Sequence, residues 1–284
     1  MNSKTNNIVL IPTDFSKVCN NAINHGAEIA GFLKHKVCLL HVVNKETRNY
    51  LKKKKLDLNF IDEKLNELSE EVTNRFSIEV ITIVKEGSIF SVIPEVASEI
   101  GANLIMLGTH GKAGFQQLVG SYAMKVVLKS PVPVIVVQKR PFAHGYKNIV
   151  FPITDFMEDR QKVKWAVYLA KTFNSSIHLY QKNVSNPAVA SRVTIVTRHI
   201  TEEFDKYDIN YIVKNAEKHS KYAEQVLDYA VTQMADLIMI MTESEIPEPD
   251  YKLAPWAEKL IFNTSQIPVM CLNSLALNNI YYTL

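Results

Sequence analysis

The sequence predicts an α/β protein made of two repeated open parallel sheets of about five strands each. Three observations carry the prediction: an internal repeat, short continuous apolar runs, and helix-period stretches between them. NIVLIPTDF at 7–15 returns as NIVFPITDF at 148–156, ANLIMLGT at 102–109 as ADLIMIMT at 235–242, and SPVPVIVVQ at 130–138 as SQIPVMCLN at 265–273. The copies follow in the same order at separations of 141, 133 and 135 residues, which marks a duplicated unit.

Within the first copy the apolar runs are Ile8–Ile11, Val37–Val43, Ile78–Val84, Leu104–Leu107 and Val132–Val137. They are nearly unbroken Val, Ile and Leu, the pattern of strands covered on both faces by helices. Lys17–Leu33, Asp62–Arg75, Ser88–Ile100 and Tyr122–Lys129 lie between them with apolar residues at helical spacing, as in Ile61, Leu65, Leu68 and Val72. Strand, helix and strand at this pitch give right-handed crossovers and a Rossmann-like open sheet. Pro141–Tyr146 has no periodicity and reads as the linker, so the expected domains are 1–140 and 147–284.

Composition narrows the function classes. Hydrophobic residues are 47% and charged residues 21% of 284, which excludes a disordered or fibrous chain. A net charge of +3 is too small to indicate a nucleic-acid or membrane-surface partner. Lys52–Lys55 reads as a solvated loop or helix end, since no aromatic interleaving accompanies it. Cys19, Cys38 and Cys271 form neither a disulfide framework nor a zinc spacing. With no signal-like N-terminus and no apolar run of membrane-spanning length, a soluble cytoplasmic protein is expected. The apolar tail Leu275–Leu284 suits docking on its own domain or on another subunit.

In an open parallel sheet, ligands bind beyond the carboxyl ends of the strands where strand order reverses. After LIML come Gly108, Thr109, His110, Gly111 and Gly114, then Gly120-Ser121 opening YAMKVVLK. Glycine admits close backbone approach, and a helix N-terminus offers unpaired N–H groups. Gly111, Gly120 and Ser121 therefore suit a phosphate; the bland alternative is a glycine-shaped turn with Ser121 as N-cap. Neither of the common dinucleotide and P-loop fingerprints is present. Asp14, at the end of the first strand, is placed either to accept from a ribose hydroxyl or to cap the helix near Ser16. His110 and His41 read as structural more than as ligand contacts.

These residues resemble the universal stress proteins in their tandem two-domain form, over nearly the whole chain. Members that bind ATP carry a PTDFS-like strand end, a strand ending in HV, and a G-x2-G-x9-G-[ST] loop. Here they are matched by Pro12-Thr13-Asp14-Phe15-Ser16, His41-Val42, and Gly108, Gly111, Gly120 and Ser121, with eight residues in place of nine between Gly111 and Gly120. The resemblance implies an adenine nucleotide α-hydrolase-like fold and ATP, with Mg, as the ligand. Asp14 would face the nucleoside, Val42 would offer backbone to adenine, and the glycine loop would hold phosphates. It also implies that VPVIVV and IPVMCL are edges through which the halves pack as an intramolecular pseudo-dimer, with further homodimerisation open.

The second half replaces the glycines with Glu243, Glu245, Glu248 and Asp250, which repel a triphosphate, so no nucleotide is expected there. No G-x-S-x-G elbow, H-E-x-x-H or clustered Cys and His appears, leaving slow ATP turnover at most. Two functions stay open: a stress-response regulator whose nucleotide-bound state alters an interface with a protein partner, and a scaffold of the same fold that binds no nucleotide.

Overall fold

The computed structural model describes residues 6–109, 119–142, 145–217, 221–242 and 255–273, with the backbone alone at 119–122 and 158. Two compact units divide them, one within 6–142 and one within 145–273. The first unit runs β1 (Ile8–Pro12), α1 (Lys17–Leu33), β2 (Lys36–Val43), α2 (Lys45–Lys54), α3 (Asn59–Phe76), β3 (Val80–Glu86), α4 (Ile89–Glu99), β4 (Leu104–Gly108), α5 (Val119–Lys129) and β5 (Val134–Val137). Its strands are all parallel, in the order β3-β2-β1-β4-β5. The second unit runs β6 (Asn148–Ile153), a 3₁₀ segment (Met157–Lys162), α6 (Val163–Phe173), β7 (Ser176–Gln181), α7 (Pro187–Lys206), β8 (Tyr211–Asn215), α8 (Tyr222–Thr232), β9 (Leu237–Met241), α9 (Pro255–Ile261) and β10 (Val269–Leu272). It repeats the order as β8-β7-β6-β9-β10.

Strands β1, β4 and β5 are buried along almost their whole length, as continuous apolar runs require. β3 and β8 differ from that expectation: β3 is half-buried up to an exposed Glu86, and β8 is largely exposed. β3 pairs with β2 and β8 with β7, each at the start of its unit's order, and their apolar residues are less enclosed. Helix α2 was not foreseen. Asn44 caps it by accepting from Thr47 N at 2.9 Å, and Lys52, Lys53 and Lys54 form its last turn, where cations favour the negative end of the helix dipole. The lysine run is thus a helix end. Among the described residues no helix is long and apolar enough to cross a membrane.

Helix α1 starts at Ser16, whose side chain accepts from Cys19 N, and ends at Lys34 in the left-handed region, a C-cap geometry. It buries His25, 1% exposed, with its ring 4.6 Å from that of Phe142. Burial, helped by Arg140, pushes the His25 imidazole down to about 3. A histidine depressed in the fold but ordinary in the unfolded chain leaves the unfolded state binding more protons between those two values. Stability is therefore full above the ordinary value and falls as the solution is acidified. We expect His25 alone to remove about 2 kcal/mol between pH 7 and pH 5, with His35, His41 and His178 acting in the same direction. Urea melts across that range should show the fall, and His25→Leu should flatten it; an unchanged slope in the variant would rule His25 out.

Candidate functional site

A cavity of about 690 Å³ opens beyond the carboxyl ends of β1, β2 and β4 in the first unit. The crossovers from β1 proceed one way to β2 and β3 and the other way to β4, so this is where the strand order reverses. β1 and β4 are paired only at Val9 with Leu104 and Leu10 with Ile105, and past that point they form a fork. Pro12, Leu107 and Gly108 line the cavity at the fork.

The register of β2 prepares one wall. Lys36 N donates to Asn7 O on the β1 side, and Val37 N donates to Glu79 O on the β3 side. Alternation along the strand then turns the even-numbered peptides toward β1. Thr13 N donates to Leu40 O at 2.8 Å as the last such bond, and β1 ends. Val42, two residues on, faces that same side with its N–H and C=O where β1 no longer runs.

The turn after β1 is built from its own side chains. Thr13 Oγ1 accepts from Phe15 N at 3.0 Å, and Asp14 Oδ1 accepts from Ser16 N at 2.9 Å. Phe15 sits at φ 63°, a left-handed conformation costing a non-glycine residue about 1–2 kcal/mol. Its ring is stacked on His41, with centroids 4.8 Å apart and planes at 18°, and the Lys64 ammonium lies 4.6 Å from its centroid. These contacts hold the strained turn in place.

His41 Nδ1 lies 2.8 Å from Thr13 O, which only accepts, so Nδ1 carries the proton. Burial, with Lys64 adding to it against the opposing Thr13 carbonyl and Asp14, holds the ring below its ordinary value and keeps it neutral. Nε2 then accepts from the Thr47 hydroxyl at 3.1 Å. That hydroxyl has one proton, so the more distant Val42 O, at 3.4 Å, stays available to another donor. Burial raises the Asp14 carboxyl, but hydrogen bonds from Ser16 and Cys19 outweigh it and leave the group below its ordinary value, ionised. Burial first, then Asp14, pushes the Cys19 thiol up to about 12, so it is a donor here and not a nucleophile.

Of the residues that the sequence singled out, Pro12, Thr13, Asp14, Val42 and Gly108 line the cavity. Thr109 is buried beside Gly108, its N–H on Val137 O at 2.9 Å and its hydroxyl without a partner among the described residues. Gly120 and Ser121 fall in the first turn of α5. His110 and Gly111 lie outside the described residues, as do the acidic segment with Glu243, Glu245, Glu248 and Asp250 and the tail Leu275–Leu284. Sequence reasoning missed Lys64, Asn44 and Thr47, which also line the cavity; Asn44 with Thr47 three residues later is a cap signal that was there to be read. Among the described residues no group of three His, Cys, Asp or Glu is placed to hold a metal ion.

Gly108 has a packing reason of its own. A Cβ there would stand 3.0 Å from Val18 O and 3.2 Å from Val18 C, and backbone cannot step aside as a flexible side chain can. The second unit has Met241 at the matching position. Gly108→Met should push α1 off β4, cost about 1–3 kcal/mol, and narrow the fork; a thermal melt superimposable on the parent's would contradict this.

The universal stress protein family matches residues 5–138. A universal stress protein of Methanocaldococcus jannaschii is 29% identical over 156 residues, 46% of this chain and 94% of that protein. A second from the same organism is 31% identical over 139 residues, 46% of this chain and 81% of that protein. The crystal structure of a universal stress protein from Archaeoglobus fulgidus shares the fold, with a TM-score of 0.76 at 16% identity over 95% of this chain and 99% of that one. With its repeated Rossmann-like units, the chain belongs to the universal stress protein family.

Proposed function

We propose that the first unit binds ATP or a related adenine nucleotide and that the chain acts in the stress response as a regulatory protein, its bound state read by a protein partner. The observation that carries this reading is the backbone of Val42 in the cavity wall where β1 no longer runs, in a largely apolar cavity that an ionised Asp14 also lines. Adenine presents an acceptor at N1 beside a donor at N6, and Val42 offers a matching N–H and C=O.

The remaining groups suit the rest of the ligand. Val42, Ile61, Phe90, Ile93 and Val126 supply apolar walls for a base. Asp14 is placed to accept from ribose hydroxyls. The first turn of α5, with Gly120 and Ser121, offers N–H groups to phosphate. Mg accompanying the phosphates supplies charge neutralisation when bound.

Purified protein, denatured and filtered, should release adenine nucleotide, and nucleotide-stripped protein should melt at higher temperature with millimolar Mg-ATP. No nucleotide in the filtrate together with no thermal shift would instead support the scaffold reading.

A further inference from the structure

The two units are duplicates in sequence, yet they are not in the same register in space. In the first unit Asn103 N donates to Ile8 O at 2.9 Å and Ile8 N donates back to the Asn103 side chain. In the second, Asp236 N donates to Asn148 O at 2.8 Å and Asn148 N donates to the Asp236 side chain. Ile8 therefore corresponds to Asn148, and Pro12 to Pro152, although the matching TDF triplets stand one residue further apart. Ile153 is the extra residue. It extends β6 by one step and leaves Thr154 where the first unit has Asp14.

That step closes the wall that is open in the first unit. Pro12 pairs with Leu40 and Pro152 with Tyr180, so Lys182 corresponds to Val42. Its N–H donates to Ile153 O at 2.8 Å, and the Tyr222 hydroxyl, 3.1 Å from Ile153 O and 2.6 Å from Tyr180 O, sits over the same edge. The fork between β6 and β9 is filled too. Lys162, 0% exposed, donates from Nζ to Pro152 O at 2.8 Å, lies 3.5 Å from Met239 O and pairs with Asp159 Oδ1 at 2.8 Å. The other Asp159 oxygen accepts from Thr154 N at 2.7 Å and from its hydroxyl at 2.8 Å. Among the described residues, the cation and the carboxylate satisfy one another and the Thr154 donors from within the chain.

We propose that the second unit carries its own ligand: the Lys162 and Asp159 side chains occupy the crevice that the first unit leaves open, so this copy is permanently closed and takes no nucleotide. In the second unit the turn after β6 is tied to this pair through Thr154. The inference stands on the internal network and does not rest on the identity of the first unit's ligand.

Amide exchange on the intact chain tests it. Without ligand, the Thr154 amide should exchange at least about 100-fold more slowly than the Ser16 amide, because its acceptor is buried and Asp14 is exposed. Saturating Mg-ATP should leave Thr154 within twofold of its unliganded rate. Asp159→Asn, which keeps the shape and removes the charge, should speed Thr154 exchange by at least about tenfold, and Lys162→Met provides a second variant should the first fail to fold. Thr154 exchanging as fast as Ser16, or slowing when Mg-ATP is added, would overturn the proposal. Since the first comparison needs no nucleotide, absence of binding in the first unit would leave this test intact.

Discussion

Asp159→Ala is expected to destabilise the second unit by about 3–5 kcal/mol. The change strips Lys162 of its counter-ion at a site that is 0% exposed, and Pro152 O and Met239 O offer partial charge only. It also orphans the Thr154 N–H and hydroxyl, which both donate to Asp159 Oδ2. Each buried donor so left carries its own desolvation cost. Lys162 further lies 4.2 Å from the Phe151 ring centroid, and that attraction to a ring face is too small to replace the lost carboxylate. The double variant Asp159→Ala, Lys162→Met removes cation and anion together and should recover much of the loss, because an apolar replacement of a buried pair is often neutral. Urea unfolding followed by a probe in the second unit decides between them. Equal midpoints for the parent and Asp159→Ala would show that the pair is not buried as described.

The second large effect is on binding. Asp14→Ala should weaken ATP by about 10- to 150-fold, the range for losing hydrogen bonds to a charged acceptor, while costing the fold little. Asp14 lies at the surface, and its carboxylate ties the turn by accepting from Ser16 N. Asp14→Asn separates the two roles: its amide oxygen still accepts from Ser16 N, so the turn persists, but the charge proposed to attract ribose hydroxyls is gone. An Asn variant with parental affinity would mean that Asp14 only shapes the turn.

What the chain revealed in advance follows from physics that is local in sequence. Strands buried on both faces must be continuously apolar, and β1, β4 and β5 were legible for that reason. Helix α2 was not, because it buries only Leu51 and so shows no apolar stripe; tertiary placement over β2 makes it. Asp14 and Gly108 were legible as strand ends near a reversal of strand order, and Pro12 and Val42 only through the family resemblance. Phe15 was not, since a left-handed φ at an aromatic residue is imposed by His41 and Lys64 from other elements. The identical TDF triplets concealed the extra residue in β6, to which the displaced proline was the only clue. Lys162 concealed itself as well: in EDRQKVK it reads as one more surface cation, and burial of a lysine is decided by the fork it enters and by Asp159 three residues before it.

A calorimetric titration of nucleotide-stripped protein with Mg-ATP tests the asymmetry between the units most directly. One equivalent per chain, weakened by Asp14→Ala and unaffected by replacing Arg192, which pairs with Asp155 at 3.1 Å in the second unit, is the predicted result. Two equivalents, or a single one indifferent to Asp14, would contradict the account.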